Sequence, residues 1–271
     1  MKIAAAQISC ALGDLSANLR KMRDFAGRAQ SAGAELVVFP EMSDTGYAMR
    51  VIREHARPWS EGAVPELREM ARSLGLAIIS GVSERENESI YNSQVVIDAT
   101  GAIIATYRKT HLFAPPPIEE DKCCVPGLSL TSIDIGPHRF GLAICYDLRF
   151  PEVFRSLAVE QKTTVFAISS AWPFPRVEHL RVLATARAIE NQSYVILANR
   201  VGIDDGVQFC GASAVVDSSG AVLTAASSDR EELVITDISE NTIREVRDSM
   251  PVFNHRRPEI YATGRAPKTS Q

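Results

Sequence analysis

The sequence predicts an α/β fold with mixed β-sheets, and three observations lead to it. Short apolar runs rich in β-branched residues alternate with amphipathic segments along almost the whole chain. Turn signals in the middle of the chain join neighbouring strands as hairpins, which a purely parallel sheet does not contain. The 271 residues, 45% hydrophobic and 23% charged, have ordinary globular composition and suffice to bury a core without disulfide bonds.

The first part of the chain alternates strands with helices. Apolar runs predict the strands, and apolar residues that recur at intervals of three and four predict the helices. A glycine follows each helix, and a proline lies near the start of the second, as helix termini favour. The predicted elements are a strand at 2–8, a helix at 15–31, a strand at 35–39, a helix at 65–74 and a strand at 76–81.

The rest of the chain repeats the alternation but adds hairpins, whose turns lie at 99–101 and 217–220. Each sheet should therefore contain antiparallel as well as parallel neighbours. The predicted elements are strands at 91–98, 103–107, near 133, at 138–144, 164–169 and 194–199, and helices from about 151, at 177–191 and at 239–249. We interpret residues 1–261 as a single domain, with 250–271 as an extended C-terminal tail.

Charge and cysteine content exclude several classes of protein. The chain has 29 Lys and Arg against 33 Asp and Glu, a net charge of −4, and no long basic cluster, so we expect no nucleic-acid partner. Its 5 cysteines are few and unevenly spaced, which argues against a disulfide framework and a structural metal site. No signal-peptide pattern or membrane-spanning apolar run is present, so we expect a cytoplasmic protein without membrane association, cofactor or metal.

The motifs of several large enzyme classes are missing. The chain contains no phosphate-binding P-loop, no dinucleotide-binding glycine pattern after its first strand, no serine nucleophile elbow and no zinc-protease histidine pair. The remaining possibilities are an enzyme that uses a cysteine and a protein without catalytic activity.

Three predicted strands end abruptly in polar residues. Glu41 follows the strand at 35–39, Lys109 follows the hairpin strand, and Cys145 follows a strand in the second half. Strand ends in α/β folds meet at a crevice, so the three side chains are expected to lie together. Taken singly, each residue has a structural explanation: a buried thiol, a capping carboxylate and a solvated ammonium.

Together these residue types suit the hydrolysis of an amide. A thiol must lose its proton to attack, and a nearby carboxylate can accept that proton. The tetrahedral intermediate carries negative charge on oxygen, which needs fixed donors such as Lys109 and the backbone N–H of Tyr146. A protonated carboxyl group can then protonate the leaving amine and later activate water.

Three segments resemble the signature blocks of the nitrilase superfamily of carbon–nitrogen hydrolases. They are FPEMSDTGY at 39–47, YRKTHLF at 107–113 and CYDLRFPE at 145–152. The resemblance continues through 186–192 and 199–202, and extends over nearly the whole chain. It implies a four-layer αββα sandwich, and association through the helical layers into a homodimer or a larger homo-oligomer.

The resemblance also implies roles for individual residues. Cys145 matches the nucleophile of the family, Glu41 the general base, and Lys109 the lysine that stabilises the oxyanion. A second glutamate lies between the lysine and the cysteine in this family. Glu119 and Glu120 are both candidates here, and the spacing to the following glycine turn favours Glu120.

Residues near these blocks are candidates for the substrate pocket: Tyr47, His111, Tyr146, Arg149 and Trp172. Trp172 could instead be a core or interface aromatic residue. Arg149 could bind a substrate carboxylate or pair with an internal carboxylate such as Glu152. Relatives that act on ω-amides of dicarboxylic acids carry His-Trp where this chain has His179-Leu180, so the match to that branch is incomplete.

The predicted function is cysteine-dependent hydrolysis of a small primary amide through an acyl-thioester. Nitrile hydrolysis is an alternative, although nitrilases usually carry Cys-Trp-Glu where this chain has Cys145-Tyr146-Asp147. N-carbamoyl amino acid hydrolysis is a further alternative. A non-catalytic scaffold is the alternative from another class, and it conflicts with the presence of all three predicted catalytic residues.

Overall fold

The computed structural model describes residues 1–261, whose strands form two six-stranded sheets and one short hairpin. The strands are β1 (Lys2–Gln7), β2 (Leu36–Val38), β3 (Ala77–Glu86), β4 (Ser89–Ile97), β5 (Ile103–Arg108), β6 (Ser132–Ile135), β7 (His138–Ile144), β8 (Val165–Ser170), β9 (Tyr194–Asn199), β10 (Ile203–Asp204), β11 (Val207–Gln208), β12 (Ala214–Val216), β13 (Val222–Ala225) and β14 (Glu232–Asp237). The helices are α1 (Leu15–Ser31), α2 (Met49–His55), α3 (Ala63–Leu74), α4 (Pro151–Glu160), α5 (Val177–Asn191), α6 (Glu240–Ser249) and α7 (Pro258–Tyr261).

Both sheets are mixed, as the hairpins predicted. The first has the order β14-β1-β2-β3-β4-β5, and the second has the order β13-β12-β9-β8-β7-β6. In each sheet three central strands run parallel and the outer strands are antiparallel to their neighbours. The strands β10 and β11 form a separate two-stranded hairpin.

Side chains of the central strands alternate between two buried layers. In β1, Ile3 and Ala5 join the core between the two sheets, whereas Ala4 and Ala6 pack against α1 and α3. On the outer face of the second sheet, α4 and α5 contribute apolar residues that include Phe154. The layers are therefore helix, sheet, sheet, helix, which confirms the αββα expectation.

Local signals place most element boundaries. The Asp14 carboxylate accepts a hydrogen bond from the N–H of Ala17 at 2.9 Å and caps α1, whose last residue matches the prediction. Gly75 adopts the left-handed conformation, with φ of 60°, immediately after α3. Both α5 and β9 begin and end at the predicted residues.

The structure differs from the sequence expectation in five places. The strand predicted at 76–81 continues to Glu86 and turns directly into β4, because its polar outer half pairs with β4 and its Glu84 forms an ion pair with Arg108 of β5. Elements α2, β14 and the β10–β11 hairpin were not predicted. Residues 258–261 of the predicted tail form α7, which starts at a proline, and residues 262–271 lie outside the described residues.

Within residues 1–261, no helix combines the length and the apolar character that crossing a membrane requires.

Candidate active site

Glu41 lies beyond the end of β2, and its carboxylate is completely buried. One oxygen, Oε1, accepts hydrogen bonds from Lys109 Nζ at 2.8 Å and from Asn92 Nδ2 at 2.6 Å. The other, Oε2, accepts from the backbone N–H of Ala171 at 2.8 Å. The backbone of Gly81 packs closely against the Glu41 segment, since a Cβ at Gly81 would lie 2.5 Å from the Glu41 Cα.

Lys109 follows β5 and lies between two buried carboxylates. Its ammonium is 2.8 Å from Glu41 Oε1 and 2.7 Å from Glu120 Oε2, and all three side chains are shielded from solvent. Glu120 opens the short 3-10 turn Glu120–Lys122, where it also accepts from the N–H of Phe113 at 2.8 Å. Glu119 points outward and pairs with Lys122 at 2.5 Å, so the structure places Glu120 and not Glu119 at the lysine.

Asn92 is a site residue that the sequence reasoning missed. It lies in β4, it is buried, and its amide donates to Glu41 at 2.6 Å and to Glu120 at 2.5 Å. Its backbone carbonyl also accepts from the N–H of Lys109 at 2.8 Å. The available signal was a polar run, Asn92-Ser93-Gln94, inside an otherwise apolar strand.

Burial and the charges of neighbouring side chains set the protonation states of Glu41 and Lys109. Burial raises the pKa of Glu41, and the carboxylate of Glu120 adds to that rise against the opposing effect of Lys109. Burial also opposes the charge of Lys109, but Glu120 and Glu41 outweigh it and raise the pKa of the ammonium well above its usual range. Lys109 therefore remains a cation in a site with little solvent.

Cys145 follows β7 and opens a tight turn, Cys145–Arg149. Its φ of 43° is in the left-handed region, which is uncommon for a residue with a side chain and projects the thiol away from the strand. Burial and then Glu41 raise the pKa of the Cys145 thiol well above its usual value. Ala171, whose backbone N–H donates to Glu41, lines the same pocket as Cys145.

Asp147 holds this turn against the end of β5. Its carboxylate accepts from the N–H of Ile144 at 2.9 Å and from the hydroxyl of Tyr107 at 2.8 Å. His111, a predicted pocket residue, lies 2.9 Å from the same carboxylate and stacks on Phe150 at 3.8 Å. His111 therefore contacts the turn that begins at Cys145, and it does not line the substrate pocket described below.

A narrow pocket, with a free volume of about 10 Å³, is lined in part by Cys145. Four of the five predicted pocket residues line it, namely Tyr47, Tyr146, Arg149 and Trp172. Arg176, which was not predicted, also lines it. The remaining wall is apolar and consists of Phe113, Ile118, Ala171 and Pro173.

The two pocket arginines have no internal carboxylate partner. Within residues 1–261, neither Arg149 nor Arg176 has a carboxylate oxygen within 4.0 Å, so the possible pairing of Arg149 with Glu152 is not formed. Arg149 lies over the Trp172 ring at 4.6 Å and beside His179 at 3.4 Å. Partial burial, and then Arg176, lower the pKa of Arg149.

No group of three or more His, Cys, Asp or Glu side chains within the described residues is arranged to hold a metal ion.

The chain is similar to several known proteins. The family model described as carbon–nitrogen hydrolase matches residues 2–248. The 2-oxoglutaramate amidase of Bacillus subtilis (strain 168) is 34% identical over 261 residues, covering 96% of this chain and 98% of that protein. A nitrilase of Pyrococcus abyssi (strain GE5 / Orsay) is 33% identical over 270 residues, covering 96% of this chain and 99% of that protein.

Solved structures show the same fold. A mutant of the amidase from Nesterenkonia sp. AN1, captured after Michael addition of acrylamide at its active-site cysteine, has a TM-score of 0.82 and 27% identity. The match covers 93% of this chain and 99% of that one.

Proposed function

The chain belongs to the carbon–nitrogen hydrolase family, and on that premise we propose that it hydrolyses a small primary amide through an acyl-thioester on Cys145. The observation that carries this proposal is the buried cluster of Glu41, Lys109 and Glu120 next to Cys145, whose thiol lines a narrow pocket. Relatives with the names amidase and 2-oxoglutaramate amidase support the reaction class.

In the first half of the reaction the thiol and Glu41 act together. Because burial raises the pKa of Cys145, the resting nucleophile is a neutral thiol, and Glu41 accepts its proton as sulfur attacks the amide carbon. The carbonyl oxygen becomes negative, and the Lys109 ammonium and the N–H of Tyr146 stabilise it. Glu41 then returns the proton to the leaving nitrogen, ammonia departs, and the acyl group remains on sulfur.

Water completes the cycle. Glu41, again a carboxylate, removes a proton from water, which attacks the thioester carbon. Lys109 and Tyr146 stabilise the second oxyanion, and its collapse releases the carboxylic acid and the Cys145 thiol. Glu120 has a positioning role, since it fixes the Lys109 ammonium at 2.7 Å and reinforces its positive charge.

The substrate carries a carboxylate at the end remote from the amide. Arg149 and Arg176 supply two guanidinium groups to the pocket and have no carboxylate within 4.0 Å among residues 1–261, whereas most of the other lining residues are apolar. An ω-amide of a short dicarboxylic acid places its amide at the thiol and its carboxylate at the arginines. The similarity to a 2-oxoglutaramate amidase supports this class.

The decisive experiment measures ammonia release from ω-amides, neutral aliphatic amides, an N-carbamoyl amino acid and matched nitriles. We expect release from the ω-amides and none from Cys145→Ser, with Cys210→Ser as the matched control at a buried cysteine outside the pocket. Release from nitriles alone would support the nitrilase alternative, for which the Pyrococcus relative is the specific observation. Absence of release from every compound would support a scaffold role.

The two arginines have a separate test. Arg149→Gln and Arg176→Gln should each raise KM for the ω-amide about 10- to 100-fold, since a hydrogen bond to a charged group contributes about 1.5–3 kcal/mol. The neutral amide of equal length should be much less affected. Arg181→Gln, on the exposed side of α5, is the matched control. Equal effects on charged and neutral substrates would refute carboxylate recognition.

The protein is also proposed to be a homodimer, formed by the outer face of α5. Val182 and Ile189 are exposed on that helix, and Val222 and Leu223 extend the apolar surface on β13. A second copy of the chain would cover this patch with an identical one. Sedimentation of the wild type as a dimer and of Val182→Glu as a monomer is expected, with the exposed Leu128→Glu unchanged. A monomeric wild type would overturn this assembly.

We place the protein in the cytoplasm, as one domain over residues 1–261, without a nucleic-acid partner. The five cysteines are free thiols, as in a reducing compartment, and the net charge is −4. Cell fractionation and limited proteolysis test the location and the domain assignment. Recovery with membranes, or a stable fragment much shorter than 1–261, would contradict them.

A further inference from the structure

Two adjacent cysteines follow the turn that carries Glu120. The backbone N–H groups of Cys123 and Cys124 donate to the carbonyl oxygen of Glu120 at 2.9 Å and 2.8 Å. The conformation of this two-residue segment is therefore tied directly to the glutamate that holds Lys109. Neither cysteine lines the pocket that contains Cys145.

The two thiols have different environments. Cys123 is partly exposed, and its sulfur lies 3.6 Å from the carbonyl oxygen of Met49. Cys124 is buried in the apolar cluster that includes Tyr47 and Ile118. An oxidant in solution therefore reacts first with Cys123. Cys124 is adjacent in the sequence but is shielded from solvent.

The charge around Cys123 favours its reactive form. The adjacent Cys124 thiol lowers the pKa of Cys123 against the opposing effect of burial, and Arg53 lowers it further against the opposing charge of Glu120. Burial raises the pKa of Cys10 and of Cys145, which are also less exposed. Among these thiols, Cys123 combines partial solvent exposure with a lowered pKa, which is the profile of an oxidisable cysteine.

We propose that Cys123 and Cys124 form a redox-active dithiol, separate from the nucleophile, which hydrogen peroxide converts into an intramolecular disulfide. The Cys123 thiolate attacks the peroxide, breaks its O–O bond and becomes a sulfenic acid, while the other oxygen leaves as water after protonation. The Cys124 thiol then attacks the sulfenic sulfur, the S–O bond breaks, and a second water leaves with the Cys124 proton. Two thiols are oxidised and one peroxide is reduced.

The Cys123–Cys124 disulfide should be easily reduced, and its formation should disturb the position of Glu120. Adjacent Cα atoms are about 3.8 Å apart, below the roughly 4.4–6.8 Å that disulfides prefer, so the bond is strained and easily reduced. Closing this ring must distort the Cys123–Cys124 peptide, whose own N–H, that of Cys124, donates to the Glu120 carbonyl oxygen. A fall in amidase activity that a dithiol reverses is the expected consequence, and this consequence alone rests on the proposed function.

Mass spectrometry tests the disulfide independently of catalysis. The full-length Cys145→Ala chain is treated with hydrogen peroxide, and intact mass and peptide mapping are recorded before and after dithiothreitol. We expect a reversible loss of two hydrogen atoms in the peptide containing both cysteines, absent from Cys123→Ser and Cys124→Ser but kept in the control Cys10→Ser. No loss, or a loss that persists in Cys123→Ser, would overturn the proposal.

Activity tests the coupling to Glu120. Cys123→Ser should match the wild type before oxidation. At equal peroxide exposure the wild type should lose several-fold more activity than Cys123→Ser, and dithiothreitol should restore the difference. Equal losses in the two proteins, with the disulfide formed, would overturn the coupling and would leave the amidase assignment intact.

Discussion

At the residue scale, Asn92 holds the two buried carboxylates of the site on either side of Lys109. Asn92→Ala removes one hydrogen bond to Glu41 and one to Glu120, each to a charged acceptor. Because such a bond contributes about 1.5–3 kcal/mol, kcat/KM for the best amide should fall about 10- to 100-fold. Steady-state kinetics of the purified variant measures this loss.

The control for Asn92 is Asn254→Ala, at an exposed asparagine. Its kinetics and its midpoint of chemical unfolding should match the wild type. If Asn92→Ala kept full activity, the amide would have no part in positioning the carboxylates. If it lost activity only in proportion to its folded fraction, the role of Asn92 would be structural.

The pH dependence of catalysis should report Glu41. Its pKa is raised above 4.5 in the folded chain, mainly by burial and then by Glu120, so the proton is held more tightly than in the unfolded chain. Since the general base must be unprotonated, kcat/KM should fall as the pH drops through a value above 4.5. Asn92→Ala should move this acidic limb upward, because the hydrogen bond from Asn92 favours the carboxylate. A limb at or below 4.5 would contradict the assignment of Glu41 as the base.

The sequence predicts those residues whose chemistry is visible without coordinates. Glu41, Lys109 and Cys145 stand at strand ends in recognisable blocks, and the structure brings them together. Asn92 and Asp147 could not be found in this way, because their importance depends on which strands become neighbours. His111 belongs to a signature block, yet its ring bonds Asp147, and a sequence alone does not give the direction of a side chain.

At the element scale, close packing between β3 and the end of β2 positions Glu41. A Cβ at Gly81 would lie 2.5 Å from the Glu41 Cα and 2.6 Å from the Pro40 carbonyl oxygen, and both neighbours are backbone atoms. Gly81→Ala must therefore push the Glu41 segment away from Lys109. A misplacement of about 1 Å can cost about 100-fold in rate, so kcat should fall by that order while the fold loses about 1–3 kcal/mol.

The matched control is Gly27→Ala. Gly27 lies inside α1, and a Cβ there would meet no atom within 4 Å. This change should leave kcat unaltered and stabilise the protein by about 0.5–1 kcal/mol, since alanine favours a helix. Equal kcat for Gly81→Ala and the wild type would show that the Glu41 segment is not fixed by this contact.

The elements predicted correctly were those whose own residues show the pattern of a helix or a strand. Helix α5 buries residues at helical spacing, strand β9 is a short continuous buried run, and both end at the predicted residues. Strand β14 escaped prediction because its pairing partner, β1, lies at the other end of the chain and its own residues are only half buried. The turn between β3 and β4 was missed for a related reason, since Glu84 and its neighbours look solvent-facing until Arg108 is placed beside them.

At the scale of the whole molecule, hydrogen bonds between the two sheets set the distance from base to nucleophile. Ser169 in β8 is completely buried, donates to the Phe39 carbonyl oxygen at 2.7 Å and accepts from Gln94 Nε2 at 2.9 Å. Phe39 leads to Glu41 on the first sheet, and Ile144, opposite Ser169 in the ladder, leads to Cys145 on the second. Glu41 and Cys145 thus come from different sheets that this serine connects.

Ser169→Ala should therefore weaken both the sandwich and catalysis. It leaves the Phe39 carbonyl oxygen without its Ser169 donor and the Gln94 amide without its shorter hydrogen bond, which should cost about 1–3 kcal/mol in free energy of unfolding. Guanidinium unfolding measures this loss, and Ser16→Ala, at an exposed serine in α1, should show none. Since the contact also fixes the two strand ends, kcat/KM should fall at temperatures where the variant is fully folded. A destabilised variant with unchanged kcat/KM would show that the strand ends are held independently of Ser169. An unchanged unfolding midpoint would show that the Ser169 contact does not stabilise the sandwich.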